Sequence, residues 1–295
     1  MAPRQITLAE MKDKSSKNYY ENTRKAEEYF NQAKTPVKYN LPVSLALRQQ
    51  FNIKKSTNEN LYIRNCIKTG NTLVFTDLIN RRLIICNSDG TNIHHIPLSY
   101  QPWYITEIDS NTVAVSCAFD QTILIINIST RSVTSTINTS GVCSGISYND
   151  NNLYVVIGGS IIHVMDLRGK VTRTIPLPSD DIWDITVDRD RVVCIETTSI
   201  YCCSLDGKKM WEFEKDKFED LTRVTTDHEG NVYVTNESTH TVIVISDDGK
   251  HHRELLTESD GLDWPCGIYF DKKENTLLVC NYMDGKAFLF DVKKN

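Results

Sequence analysis

The chain has 295 residues, 40% of them apolar, and carries 33 Lys/Arg against 38 Asp/Glu for a net charge of −5. No apolar run approaches the roughly 18 residues of a membrane-spanning helix, which argues against a membrane partner. Residues 1–35 hold seven basic and five acidic side chains, so 36–295 hold 26 and 33, a net of −7 and a poor footprint for nucleic acid.

Residues 1–35 have helix-forming composition, with no Gly or Pro after Pro3. Leu8, Met11, Ser15, Asn22, Ala26, Tyr29 and Ala33 fall near heptad spacing, but half of these positions are polar, so the segment reads as a short helix with weak potential for self-association. Pro36 and Pro42 mark a linker. Ser44–Lys54 has strand character, within a linker-plus-strand segment at 36–60.

From residue 61 the chain repeats itself. Asn71–Asp77 is followed by Arg82–Gly90, Thr112–Ser116 by Thr122–Asn127, and Asn152–Val156 by Ser160–Asp166. Arg191–Ile195 is followed by Ser199–Ser204, Asn231–Thr235 by Thr241–Ser246, and Thr276–Cys280 by Lys286–Asp291. Six copies about 40 residues apart, all strand-like, are the signature of propeller blades. Near-continuous apolar runs in each copy suit sheets covered on both faces. The fold expected is all-β: a six-bladed β-propeller with blades at about 61–98, 102–138, 143–177, 182–215, 221–257 and 265–295. The last copy lacks a fourth strand, so residues 44–54 are expected to supply it and close the ring.

The nine cysteines are odd in number and none has C-x-x-C spacing. Met1–Ala9 has no apolar core of the secretory kind. Together these predict free, buried thiols in a cytoplasmic protein with no metal site. Neighbouring Cys202 and Cys203 should face opposite ways along a strand.

The runs Asp220–Asn236 and Trp264–Asp271 resemble NHL repeats, whose pattern is P-x-G-I-x-x-D, then G-N-x-Y-V-x-D/N. The region 41–295 is similar to the NHL-type propeller of tripartite-motif (TRIM) proteins of invertebrates, and residues 5–34 resemble the coiled-coil tail that precedes it. No RING finger or B-box spacing is present, so ligase activity is not implied. The resemblance implies a non-enzymatic module that recognises a protein or peptide with its loop face, in regulatory or ubiquitin-pathway complexes, without a cofactor. RNA is the alternative ligand. Trp183-Asp184 opens a strand rather than closing one, which argues against WD repeats.

Aligning the inner strands on Ile67, Ile105, Ile146, Ile185, Val224 and Ile268 puts Cys66, Tyr104, Gly145, Asp184, Arg223 and Gly267 in one ring. Asn65, Trp103, Ser144, Trp183, Thr222 and Cys266 form the next. These rings are expected at the channel mouth. With one carboxylate, Asp184, beside one guanidinium, Arg223, they suit a Ca²⁺-dependent propeller hydrolase poorly, because calcium takes six to eight oxygens. Trp103, Tyr104, Trp183, Trp264 and Tyr282 are candidate partner anchors, with Asp184 and Arg223 as candidate partner-binding residues beside them at the mouth. Arg81, Arg82, His240 and Asn281 are expected on a polar rim. His94-His95 and His251-His252 lie on outer strands, where neighbours point oppositely, and read as surface histidines. Ser144-Gly145 and Gly158-Gly159-Ser160 lack a nucleophile-elbow pattern, and no catalytic residue is assigned.

Overall fold

The computed structural model describes residues 41–56, 58–214 and 218–294. The expected N-terminal helix, and any self-association through it, lies outside the described residues.

Six four-stranded antiparallel sheets make up the described chain. Blade 1 contains β2 (Ile63–Thr69), β3 (Thr72–Asp77), β4 (Arg82–Asn87) and β5 (His94–Pro97). Blade 2 contains β6 (Tyr104–Asp109), β7 (Thr112–Cys117), β8 (Thr122–Asn127) and β9 (Ser132–Asn138). In blade 3 are β10 (Cys143–Asn149), β11 (Asn152–Ile157), β12 (Ile161–Met165) and β13 (Val171–Pro176). In blade 4 are β14 (Asp184–Asp188), β15 (Arg191–Ile195), β16 (Ser199–Ser204) and β17 (Lys209–Glu214). Blade 5 has β18 (Leu221–Thr226), β19 (Val232–Asn236), β20 (Thr241–Ile245) and β21 (His252–Leu256). Blade 6 joins β22 (Pro265–Asp271), β23 (Thr276–Asn281) and β24 (Lys286–Lys294) to β1 (Val43–Asn52), in the order β1-β24-β23-β22.

The expected closing strand is therefore the outer strand of the last blade, with Val43 opposite Lys294 and Asn52 opposite Lys286. Arg48 staples it, donating to Asp291 at 2.6 and 2.9 Å and to Glu274 at 3.0 Å. Gly90 of blade 1 has φ +75°, and a Cβ there would stand 2.6 Å from Phe51 Cβ, so β1 also presses on the neighbouring blade.

Six buried apolar clusters hold the ring, and each joins two neighbouring blades. The period-2 geometry of a strand explains them: alternate residues serve opposite interfaces. Cys202 faces the blade 4–5 cluster and Cys203 the blade 3–4 cluster, as expected. All nine cysteines are free and buried, and burial pushes the Cys86 thiol up to about 12.

Hydrogen bonds latch successive inner strands as well. Thr106 accepts from Tyr148 N at 3.2 Å, Ser147 from Val187 N at 3.0 Å, and Thr225 from Phe270 N at 3.2 Å. Each acceptor follows an Ile or Val of the aligned ring. Between blades 4 and 5 the acceptor is Asp184 Oδ2, which takes Val224 N at 3.2 Å. On the other side of blade 4, Gly145 of blade 3 permits a close approach: a Cβ there would meet the Asp184 Cα at 2.6 Å. Among the described residues no helix is long and apolar enough to cross a membrane.

Phe288 is fully buried in the cluster between blades 5 and 6 and stacks on Phe290 at 6.2 Å. Phe288→Ala should cost about 3–5 kcal/mol of stability, read from urea unfolding; a loss below about 1 kcal/mol would contradict this packing.

Candidate functional site: the channel and the aromatic face

Strands alternate in direction, so the loops between blades and those joining second to third strands share one end of the disc. All six aligned residues, Ile67, Ile105, Ile146, Ile185, Val224 and Ile268, line a cavity of about 370 Å³. Its wall continues towards the opposite end, past Thr106, Ser147, Thr225, Glu107, Asp188, Asp271 and Lys272. The charges there are largely paired. Lys272 Nζ meets Asp188 Oδ1 at 2.6 Å, Lys68 Nζ meets Asp271 Oδ2 at 2.5 Å, and Tyr269 donates to Glu107 at 3.0 Å. Among the described residues no group of three or more His, Cys, Asp or Glu could hold a metal ion.

At the aromatic end the central residues form a buried plug. Arg223 is 1% exposed, with its guanidinium carbon 4.2 Å from the Tyr104 ring centroid and Nη1 donating to the Thr222 carbonyl at 2.5 Å. Arg64 lies between Trp103 and Tyr282, at 5.1 and 5.5 Å from their centroids. Burial raises the Glu237 carboxyl, against the opposing pull of Arg64 and Arg223. Burial also raises Asp184, to about 6, although Arg223 favours its charged form.

Several expectations require correction. Asp184 and Arg223 are both buried, and they feel each other's charge without forming an ion pair of 4 Å or less. Tyr104 is 3% exposed and cannot anchor a partner at the surface; it is the platform for Arg223. Arg82 belongs to no rim: it opens β4 and is bound by Asp77 at 2.8 Å, Glu59 at 2.6 Å and His95 at 2.9 Å. Asn281 is fully buried, accepting from Asp263 N and donating to the Gly261 carbonyl and Asp284. The paired histidines are half-buried rather than surface residues: His95 binds Arg82, and His252 packs on Phe213 and Phe218.

Two of the other aromatics reach the surface, while Trp103 and Tyr282 are half-buried. Trp183 and Trp264 are 43% and 48% exposed. Trp264 holds φ +52°, fixed by its N–H donating to His240 Nδ1 at 3.1 Å, and its ring meets His240 edge-on at 5.8 Å. Trp103 packs edge-on against Phe119 at 5.4 Å, and Tyr282 meets Tyr62 at 5.0 Å with the rings tilted by 40°. Arg81 sits beyond the β3 end with φ +47°.

Ten described large apolar side chains are exposed, and their placement is uneven. Ile79, Phe119, Val142, Trp183, Trp264 and Met283 all belong to the loops of the aromatic end, from blades 1, 2, 3, 4 and 6. Leu47, Val133, Val171 and Met210 lie on outer strands, so none falls on the loops of the opposite end. Phe119, Ile79, Met283 and Arg64 carried no repeat or motif signal. Phe119 lies in a one-turn 3₁₀ segment, Ala118–Asp120, that lifts it out of the blade.

No family model matches the chain, and no curated protein matches it. A solved structural-genomics protein of unknown function from Bacteroides thetaiotaomicron VPI-5482 is similar, with a TM-score of 0.67 and 11% identity over 85% of this chain and 76% of that one. At this identity the likeness shows the fold alone. The chain is a six-bladed β-propeller.

Asp184 gives a pH test. Its carboxyl binds a proton more tightly in the folded protein, at about 6, than in the unfolded chain, near 3.9. Stability should therefore fall as pH rises from about 4 to 6 and stay lower above. Asp184→Asn, which keeps an acceptor for Val224 N, should gain about 2–3 kcal/mol at pH 7, with the gain vanishing near pH 4. Denaturant midpoints measured across that range would expose a pH-independent difference as a failure.

Proposed function

We propose that the protein is a non-enzymatic interaction module that recognises a protein or peptide with the aromatic loop end of the disc. The observation that carries the reading is the segregation of exposed apolar side chains: six of the ten lie at that one end. Trp and Phe bury large area at small entropic cost, which favours them as interface anchors. The NHL-like repeats support the finer reading, a propeller of the tripartite-motif kind working in cytoplasmic regulatory complexes.

RNA is the second ligand class, since stacked aromatics can also hold bases. The loop charges disfavour it. Glu59, Asp120, Asp180, Asp181, Glu196, Glu219, Asp220, Glu237, Glu258, Asp260, Asp263 and Asp284 lie in described segments of that end, Glu59 and Asp284 paired with Arg82 and Lys286 of the adjoining strands, against Lys54, Lys55 and Arg81. A hydrolase reading has little support, because the channel carboxylates are occupied by Lys272, Lys68 and Tyr269.

Phe119→Ala/Trp183→Ala/Trp264→Ala alters side chains outside the buried clusters and should lower the unfolding midpoint while leaving a single cooperative transition. Tagged wild-type protein should retain specific cellular partners that the triple variant loses, by quantitative mass spectrometry. An identical partner set for both proteins would remove the face from consideration. No mobility shift is expected with single-stranded RNA at low salt; a shift that weakens steeply with salt would favour the RNA reading.

A further inference from the structure

The exposed aromatic and apolar residues share their loops with carboxylates that have no lysine or arginine partner among the described residues. Trp183 follows Asp180 and Asp181, Trp264 follows Glu258, Asp260 and Asp263, and Phe119 precedes Asp120. All six carboxylates are exposed. Asp180, Asp181, Asp120, Glu258 and Asp260 have no ion pair among the described residues, and Asp263 has near it only His240 Nδ1 at 3.4 Å, the nitrogen that accepts from Trp264 N. The described cations at this end do not balance them: Arg82 and Lys286 are held by Glu59 and Asp77 and by Asp284, Lys54, Lys55 and Arg81 lie in blade 1 or just before it, and Arg64 and Arg223 are held against aromatic rings in the plug.

The opposite end differs on both counts. Its described loops hold Asp89, Asp150, Asp166, Asp190, Asp206, Asp227, Glu229, Asp247, Asp248 and Glu274 beside Arg131, Arg168, Lys170, Arg189, Lys208, Lys250, Lys272 and Lys273, a nearly even balance, and they expose no large apolar side chain. Excess negative charge and exposed apolar surface thus coincide at one end only.

We propose that the partner is a Lys/Arg-rich protein segment that also carries apolar side chains. The chemistry matches each loop. A Lys or Arg lays its aliphatic stem along an indole or phenyl face, and its cationic head reaches the carboxylate in the same loop. The apolar residues between them cover Ile79, Val142 and Met283. Negative potential over the face would speed encounter with such a segment and repel nucleic acid and acidic proteins.

The inference rests on the aromatic end being the binding face, and the experiment separates the two ideas. The full-length protein is used to select from a random 12-residue peptide library displayed on phage. Recovered peptides should be enriched in Lys and Arg together with aliphatic or aromatic residues, and the Phe119→Ala/Trp183→Ala/Trp264→Ala protein should not retain them. The best peptide, made synthetically, should bind Asp180→Asn/Asp181→Asn/Glu258→Gln about tenfold more weakly, and should weaken as salt rises. Asp150→Asn/Asp190→Asn/Asp247→Asn, the same charge change at the other end, should leave its affinity within about twofold. Neutral or acidic peptides that the aromatic variant loses would overturn the basic partner and leave the binding face standing. Equal weakening by both charge variants would also overturn it, since attraction would then follow net charge alone. Peptides that the aromatic variant retains, or a selection that recovers none, would overturn both.

Discussion

The structure depends on the antiparallel pairing of β1 with β24. Without it, blade 6 would be a three-stranded sheet with an open edge, and its outer face would lose Val43 and the flanking Leu41, which complete the cluster shared with blade 5. The pairing joins segments more than 230 residues apart, yet the entropic cost of closing so long a loop grows only with the logarithm of its length. The return is spread over ladder hydrogen bonds, the Arg48 fork to Asp291 and Glu274, and the Arg253 guanidinium of blade 5, which donates to the Val43 carbonyl. Closure therefore couples blades 5, 6 and 1 through one strand.

Given closure, the remaining interfaces are variations on one joint. A small residue or a hydroxyl on one inner strand receives the backbone of the next, as with Gly145 against Asp184 and Thr225 against Phe270 N. At blades 4 and 5 a charged residue makes the joint itself: Asp184 takes the hydroxyl's role and Arg223 fills the space over Tyr104. A buried carboxylate and a buried guanidinium that do not meet are costly. The cost is reduced by the Val224 N–H on one side and by the Tyr104 ring and Thr222 carbonyl on the other. The joints make the disc a fixed frame, and variation is left to the loops at its ends.

Much of this frame is legible in the sequence. The 40-residue period and the missing last strand fix blade count and closure, and the six aligned Ile and Val residues all line the channel cavity. Side-chain direction around the mouth is not legible, and the reason is specific. The inner strands slip register between Ile63 and Asn65, Cys143 and Ile146, Leu221 and Arg223, and Pro265 and Gly267. A bulge turns the extra residue away from the alternation that alignment assumes. Arg64 is such a residue and escaped the aligned rings altogether. Arg82 and Asn281 failed differently: as strand-terminal polar residues they read as rim groups, but the loop of a neighbouring element covers each and uses its hydrogen bonds. Trp183 and Trp264 were identifiable because each stands in a polar loop immediately before an inner strand.

Exposed apolar rings carry a hazard, because two copies of the disc could meet face to face through them. The carboxylates beside Trp183, Trp264 and Phe119 act against that encounter, since identical faces bring like charges together. The repulsion is strongest for self-contact and for acidic or nucleic-acid competitors, and it reverses sign for a basic chain. One charge pattern thus keeps an adhesive surface open in the free protein and selects what may cover it. Spreading the same acidic residues evenly over both ends would preserve the net charge of −5 while losing both effects. The segregation of charge, more than its amount, is therefore what the loop sequences specify.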